Sequence, residues 1–156
     1  MSNVFFTADL HLSHLNIIKR CNRPFTELVK MNTTLIEKWN EKITHKDTVY
    51  VLGDFYWGNN IDEVFGITDQ LQFKQLYLLP GNHDNQRILR LLDFDCGRIN
   101  RSIKLLPPIV EINVNKQPIT LCHYAMRIWN KSHYGTWQLF GHSHGTLKDV
   151  LPNQMD

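Results

Sequence analysis

Three short apolar segments in the first half of the chain alternate with longer segments whose apolar residues recur at helical spacing. The short segments are Val4–Ala8, Thr48–Leu52 and Gln75–Leu79. Each has the length of a buried strand, and each is followed by polar or glycine residues. Between the first two, apolar residues from Glu27 to Ile43 recur every three or four positions. Charged residues fill the opposite face, which predicts an amphipathic helix.

Further helical segments continue this alternation. The pattern predicts one or two helical turns over Ile17–Arg20, a helix over Ile61–Phe73 and a short helix over Arg87–Leu92. Strands that alternate with helices favour crossover connections and a parallel sheet covered by helices. In open sheets of this kind, ligands bind beyond the carboxyl ends of the strands.

The second half of the chain is richer in short apolar segments. Strands are predicted at Ile103–Leu105, Ile109–Val114, Ile119–Cys122 and Trp137–Phe140. The connection Asn115–Pro118 is typical of a hairpin. We therefore expect these strands to form a second, antiparallel sheet.

Length and composition indicate one globular domain spanning residues 1–156. The apolar fraction of 42% and the charged fraction of 21% are ordinary for such a domain. A formal net charge of +2 without a basic stripe gives no strong signal of nucleic-acid binding. No signal peptide and no membrane-spanning apolar run is visible, so we expect a cytoplasmic protein without a membrane partner. The scattered cysteines, Cys21, Cys96 and Cys122, fit a reducing compartment and argue against a zinc ribbon.

Polar side chains with metal-binding chemistry follow five of the predicted strands. In an extended chain, Asp9 and His11 would point to the same side, and so would His142 and His144. The count of eight histidines is also high for this length. Each segment alone is compatible with a surface turn, but together they indicate a metal site. The strand-end donors are Asp9, His11, Asp54, Asn82, His123, His142 and His144.

These donors are oxygen and imidazole groups without a thiolate. Such a set suits Mn²⁺, Fe, Zn²⁺ or Ni²⁺, and its size suits two ions that share one carboxylate. Two ions about 3.5–4 Å apart generate a hydroxide nucleophile and hold both oxygens of an in-line displacement at phosphorus. His83 has no ligand role in this scheme, and Asp84 beside it could orient its imidazole. A protonated His83 would stabilise phosphoryl oxygens or protonate a leaving alkoxide.

Taken in order, five motifs resemble those of the calcineurin-like metallophosphoesterases. They are Asp9-x-His11, Gly53-Asp54, Gly81-Asn82-His83-Asp84, His123 and Gly141-His142-x-His144. The resemblance covers residues 4–145 and implies a four-layer α/β/β/α sandwich with two facing mixed sheets. It also implies a centre of two divalent ions, with Mn²⁺ as the first expectation. One ion would be held by Asp9, His11, Asp54 and His144. The other would be held by Asp54, Asn82, His123 and His142, with Asp54 bridging, His83 catalytic and Asp84 its partner.

The segment from Thr7 to Phe25 is similar to a compact bacterial and phage branch of that family. In that branch we expect His14, Asn16 and Arg23 to face the substrate. From the sequence itself, Arg20 and Arg23 are interpreted first as solvated surface charges, with a clamp on a phosphate as the alternative. The family usually continues past its last motif into a closing strand pair, which Thr146–Val150 could begin. The sheet edge there would be exposed or covered by a second copy of the chain in a homodimer.

The resemblance implies a hydrolase of phosphoesters. A phosphodiesterase that acts on small nucleotide-like or cyclic nucleotide diesters is the first interpretation, because the chain is small and has no obvious lid domain. Trp57, in the aromatic segment Phe55–Asn60, could stack on a base or simply pack against the core. A phosphomonoesterase or phosphoprotein phosphatase is the second interpretation. A non-catalytic metal-binding scaffold is the third, and the presence of His83 argues against it.

Overall fold

A computed structural model describes residues 2–94 and 101–156, so Cys96 lies outside the described residues. The described helices are α1 (Leu15–Arg20), α2 (Leu28–Lys42), α3 (Ile61–Gln70) and α4 (Gln86–Phe94), with a 3₁₀ turn at Ser132–Tyr134. The strands are β1 (Val4–Thr7), β2 (Thr48–Leu52), β3 (Gln75–Leu79), β4 (Ser102–Leu105), β5 (Ile109–Val114), β6 (Gln117–Cys122), β7 (Trp137–Leu139) and β8 (Gln154–Met155).

The first sheet has the strand order β1-β2-β3-β4, and its pairings are parallel. The predicted parallel sheet is therefore confirmed. The sequence pattern grouped the strand at Ile103–Leu105 with the second sheet, which is wrong. Because α4 lies between β3 and β4, the chain returns in the same direction and β4 extends the first sheet.

The second sheet has the order β5-β6-β7-β8. The hairpin of β5 and β6 is antiparallel, as predicted, but β6–β7 and β7–β8 are parallel. The expectation of an antiparallel sheet is wrong for these two pairs, because the chain crosses the outer face of the sheet before it enters β7. On that face the Asn130 amide donates to the Glu111 carboxylate at 2.9 Å. The closing strand is β8, and residues 146–150 form no strand.

Two apolar layers hold this sandwich together, as predicted for an α/β fold with two facing sheets. Between the helices and the first sheet, Trp39 of α2 and Val64 of α3 belong to one buried cluster with Val51 and Leu78. Between the sheets, Leu52 and Leu121 are buried with their neighbours. The described α-helices all precede β4, and the segment between β6 and β7 contains only the 3₁₀ turn at Ser132–Tyr134. Within the described ranges, none of the helices combines the length and apolarity needed to cross a membrane.

Candidate metal centre

The carboxyl ends of β1, β2 and β3 meet at one edge of the first sheet, opposite the ends of β6 and β7. Register places Thr7 beside Val51 and Leu52 beside Leu79. Contacts between the sheets close the site, because the His142 amide donates to Asp9 Oδ2 at 2.9 Å. The fold therefore gathers all seven strand-end donors at one edge of the two sheets.

Most of these donors have a backbone conformation that L-residues rarely adopt. Left-handed φ angles occur at Asp9 (53°), His11 (50°), Asp54 (54°), His142 (67°) and His144 (49°). The explanation that Asp9 and His11 share a face of an extended strand is therefore wrong. Their side chains converge because each backbone turns sharply, at a cost of about 1–3 kcal/mol per residue.

Each carboxylate of the centre uses one oxygen to hold a neighbouring loop and leaves the other oxygen free. Asp9 Oδ2 accepts from the His142 amide at 2.9 Å, and Asp54 Oδ1 accepts from the His83 amide at 2.8 Å. Asp9 Oδ1 and Asp54 Oδ2 are buried without a hydrogen-bond partner, as is His11 Nε2. Unpaired buried carboxylate oxygens are costly, so a cation is the group that fits here.

The donor atoms fall into two overlapping groups. Asp9 Oδ1 lies 3.9 Å from His11 Nε2 and 3.8 Å from His144 Nε2. Asn82 Oδ1 lies 3.0 Å from His123 Nε2 and 2.8 Å from His142 Nδ1. Asp54 Oδ2 lies 3.5 Å from the Nε2 atoms of both His11 and His123. This is the grouping that the resemblance implied, with Asp54 between the two groups.

The histidine rings also fit bound cations. His123 Nδ1 lies 2.8 Å from the Leu52 carbonyl, and its Nε2 faces Asn82 Oδ1. A neutral imidazole has one N–H, so it can donate to only one of these oxygens. A proton on Nδ1 satisfies Leu52 and leaves the Nε2 lone pair for an ion. The residues present therefore fit a dinuclear centre.

Burial sets the electrostatics of this pocket. It lowers the pKa of His11 to about 3, with further lowering by Arg23 and the neighbouring histidines. Burial also raises the pKa of Asp9, against the attraction of His144 and His123. A neutral His11 has a lone pair to offer a cation, and the raised Asp9 pKa means that the carboxylate lacks sufficient positive charge nearby. Divalent ions would supply that charge.

Asp84 has a different role from the one predicted. Its Oδ2 accepts from the amides of Asp54 and Gly81, both at 2.8 Å. Its Oδ1 accepts from the amides of Phe55 at 2.9 Å and Tyr56 at 3.3 Å. Burial raises the pKa of Asp84, and these amide hydrogen bonds oppose that shift. In the described structure Asp84 makes no hydrogen bond to the His83 ring, so it clamps two loops instead of orienting a catalytic imidazole.

Close backbone approach explains two of the glycines in the motifs. Gly53 has a φ of +95°, and a Cβ there would overlap the ring of His123. A Cβ on Gly81 would overlap the carboxylate of Asp54. Both positions therefore require glycine for the ligands to come together.

His83 lies beside the donors within a cluster of aromatic rings. Its ring centroid is 5.3 Å from that of His11, 5.5 Å from that of His14 and 5.4 Å from that of Trp57. The side chain is partly exposed, while its amide is fixed on Asp54. His83 can therefore reach a group bound at the centre without being one of its buried ligands.

His14 supports His11 from behind. Their Nδ1 atoms lie 3.1 Å apart, and His14 is 5% exposed. When His11 Nε2 faces a cation, the proton of His11 sits on Nδ1 and is donated to His14 Nδ1. Burial also lowers the pKa of His14, which keeps this ring neutral and able to accept. The expectation that His14 faces the substrate is therefore wrong, since the ring is buried against a ligand.

Arg23 also differs from the expectation that it faces the substrate, whereas the role expected for Asn16 stays a prediction. The Arg23 guanidinium donates to the carbonyls of Leu10 at 2.8 Å and Asp9 at 2.5 Å, so it holds the backbone of the first motif. Burial lowers its pKa. Asn16 is exposed on the first turn of α1 and makes no hydrogen bond to another described residue.

Two further residues lie at the rim, of which Tyr124 had no predicted site role. Tyr124 is 47% exposed, and its ring centroid lies 4.9 Å from that of His123 and 4.8 Å from that of His142. Its position directly after a ligand-type histidine was the available signal. Arg20 borders a cavity with His142 and His144. The sequence treated it together with Arg23, and nothing in the sequence separates the two arginines.

Comparisons with known proteins agree with this geometry. Residues 2–146 match the sequence profile of the calcineurin-like phosphoesterase family. Uncharacterized protein MJ1445 of Methanocaldococcus jannaschii is 39% identical over 84 residues, which cover 54% of this chain and 48% of that protein. Gene 66 protein of Mycobacterium phage L5 is 33% identical over 87 residues, which cover 54% of this chain and 41% of that protein. The chain thus spans about half the length of the curated relatives it matches.

A solved structure shares the fold over the whole chain. The protein of unknown function AQ665 from Aquifex aeolicus superposes with a TM-score of 0.74 at 19% identity, covering 100% of this chain and 89% of that one. At that identity the likeness concerns the fold alone. The family match, which includes every candidate ligand, settles the classification: the chain belongs to the calcineurin-like phosphoesterase family.

Proposed function

We propose that the chain hydrolyses phosphodiesters at a centre of two divalent ions. The observation that carries the diester preference is that two separate cavities border the centre. One has a volume of about 320 Å³ and is lined by the Trp57–Asn59 loop and His83–Asn85. The other has a volume of about 450 Å³ and includes Arg20, His142 and His144. A phosphodiester has two substituents to accommodate, whereas a monoester has one.

A third cavity is less suited to a charged substrate. It has a volume of about 530 Å³, lies between the sheets and touches Asp9 and His144. Its walls combine Phe6, Leu52 and Phe140 with Asp156, which would repel a phosphate, and with Arg23. The Arg23 guanidinium already donates to the carbonyls of Leu10 and Asp9. We therefore assign the substrate to the two rim cavities.

The chain supplies a donor set for the ions, in which Asp9, His11, Asp54 and His123 are buried. Asp9, His11, Asp54 and His144 would hold one, and Asp54, Asn82, His123 and His142 the other. We propose Mn²⁺, since the donors are oxygen and imidazole groups without thiolate. When bound, the ions supply Lewis-acid activation of the phosphoester and of the attacking water.

His83 is our proposed catalytic residue. Its fixed amide and partly exposed ring place it at the edge of the centre, next to the Trp57 cavity. From there a ring N–H can donate to a phosphoryl oxygen or transfer its proton to the departing ester oxygen. Asp84 contributes by holding the loops on either side of this ring.

Trp57 is our proposed platform for a flat substituent of the substrate. Its amide donates to the Leu12 carbonyl at 2.8 Å, and its ring stacks on His14 at 4.3 Å with planes 11° apart. These contacts fix the indole, yet 45% of the residue stays exposed. A ring that is held on one side and open on the other can stack on a base at little entropic cost.

A substrate panel with added Mn²⁺ tests the proposal. We expect a higher kcat/KM for bis(p-nitrophenyl) phosphate and for 2′,3′- or 3′,5′-cyclic nucleotides than for p-nitrophenyl phosphate. Trp57→Ala should raise the KM of a nucleotide diester about five- to tenfold, and that of the p-nitrophenyl diester less. Trp57→Phe is the matched control that keeps a flat ring. Hydrolysis of monoesters alone would contradict the diester assignment, and no hydrolysis at all would favour the scaffold.

A further inference from the structure

Helix α1 leads from the histidine cluster to the second rim cavity. Its buried residues are Ile17 and Ile18, while Asn16 and Arg20 are exposed four positions apart, on the same side of the helix. Arg20 reaches the cavity of about 450 Å³ that Cys21, His142, Ser143, His144 and Thr146 also line. The end of α1 thus brings a cation next to two ligand-type histidines.

Arg20 differs from the other well-placed arginines because its charge is not used within the fold. Arg23 donates to the carbonyls of Leu10 and Asp9, and Arg101 is paired with Asp69 at 2.5 Å. Over residues 2–94 and 101–156, Arg20 has neither a carboxylate partner nor a hydrogen bond from its guanidinium. The lining of its cavity includes no carboxylate. One acid of the adjoining cavity wall, Asp156, accepts from the Gly145 amide at 2.7 Å and from the Ser143 hydroxyl.

We propose that Arg20 forms an anionic subsite beside the metal centre and binds a second phosphate group of the substrate. The substrate class would then be a nucleotide or short nucleic-acid strand in which another phosphate lies one nucleoside away from the bond that is cleaved. A guanidinium suits this task because its N–H groups match two phosphate oxygens at once. This inference rests on the proposed diester chemistry, which places the scissile phosphorus between the two rim cavities.

The volume and the charge of the cavity agree with such a ligand. A volume of about 450 Å³ lies within the range of roughly 300–1,000 Å³ usual for small-molecule sites. An anion in this cavity would meet Arg20 without displacing an existing ion pair.

Calorimetric binding to the Mn²⁺-loaded protein provides the test. The probes are adenosine 3′,5′-bisphosphate and the two corresponding monophosphates, which differ by one phosphate group. We expect the wild type to bind the bisphosphate about tenfold tighter than either monophosphate. Arg20→Gln should reduce this preference to about twofold or less, and Arg20→Lys should restore part of it.

Lys19→Gln removes the same charge from the neighbouring exposed position, which does not line the cavity, and is the matched control. It should leave the bisphosphate preference unchanged. A wild type without that preference, or the same preference in Arg20→Gln, would overturn the subsite. An equal loss in Lys19→Gln would also overturn it, because the effect would then be one of overall charge.

The readout separates this inference from the proposed function. Binding is measured without turnover, so a protein that hydrolyses no diester but binds the bisphosphate through Arg20 would refute only the proposed activity. A protein that hydrolyses bis(p-nitrophenyl) phosphate but shows no Arg20-dependent preference would refute only the subsite.

Discussion

The substitution Asp84→Asn tests whether Asp84 clamps two loops or orients the catalytic histidine. In the structure each oxygen of Asp84 accepts two backbone N–H groups, which belong to Gly81 and to residues 54–56. Asparagine has nearly the same shape, but its NH₂ group cannot accept. One pair of amides would keep an oxygen partner, while the other pair would face a donor.

The magnitude follows from the hydrogen bonds that are lost. A hydrogen bond to a charged group contributes about 1.5–3 kcal/mol, so two such bonds account for about 3–6 kcal/mol. Because Asp84 is partly exposed, water can replace part of the lost hydrogen bonding. We therefore expect a loss of stability at the lower end of this range, about 3 kcal/mol. A domain of this size has a free energy of unfolding of about 5–15 kcal/mol, so the loss would be large.

Urea unfolding of the chelator-treated protein measures this loss without any contribution from bound ions. The midpoint should fall strongly in Asp84→Asn, with an unchanged m-value. His83→Ala is the matched control on the same loop, and its midpoint should stay near that of the wild type. The Asp54 amide is one of the clamped groups, so Asp84→Asn should also weaken Mn²⁺ binding.

A role of Asp84 on the His83 ring predicts the opposite pattern. Stability and metal binding would then be unchanged, and only turnover would fall. A metal-free Asp84→Asn protein within about 0.5 kcal/mol of the wild type would refute the clamp, since surface substitutions fall in that range.

Two further predictions concern the histidines of the centre. His83→Ala should keep the fold and both ions but lower kcat, typically about 10²–10⁴-fold for a positioned acid. The loss of kcat should be smaller for p-nitrophenyl esters, because the p-nitrophenolate leaving group needs no proton to depart. Full activity of His83→Ala on every phosphoester would contradict a catalytic role. For metal-free protein, His11 is neutral in the fold with a pKa of about 3 but binds a proton near pH 6.5 when unfolded. The unfolded state therefore binds more protons as the pH falls from about 6.5 towards 3, and stability should drop by about 1.4 kcal/mol per pH unit from this residue. The raised Asp9 pKa acts in the opposite direction, so the test compares wild type with His11→Gln, whose stability should depend less steeply on pH. Parallel curves for the two proteins would contradict a buried neutral His11.

Sequence periodicity predicted the elements that depend on local pattern. The helix over residues 27–43 and the strands at 48–52 and 75–79 agree with α2, β2 and β3 to within about one residue at each end, because burial of one face imposes a clear period. The sequence pattern predicted strand direction in the second sheet less well. The turn of the β5–β6 hairpin is local, whereas the parallel pairing of β7 depends on where residues 124–136 cross the outer face.

The sequence also could not distinguish metal ligands from the residues that hold those ligands in place. Asp84 lies two residues after Asn82 in the sequence, and Arg23 follows the first motif. A carboxylate beside a histidine suggests a catalytic pair, and an arginine suggests a phosphate contact. In the structure, Asp84 instead accepts from backbone N–H groups, and Arg23 donates to backbone carbonyls. These are the groups that left-handed turns at Asp9 and Asp54 leave without regular sheet partners.

Strain at the ligands and clamping by charged neighbours are therefore two parts of one arrangement. Each left-handed residue aims a donor at the centre at a cost of about 1–3 kcal/mol, and several such residues lie within a few positions of one another. Charge-assisted hydrogen bonds that Asp84 accepts and Arg23 donates offset part of that cost before any ion binds. Unpaired buried atoms distinguish metal ligands from clamping residues. Asp9 Oδ1, His11 Nε2 and Asp54 Oδ2 have no hydrogen-bond partner. Both carboxylate oxygens of Asp84 have partners. A list of polar residues after strands contains both kinds, and only the burial and pairing of individual atoms tells them apart.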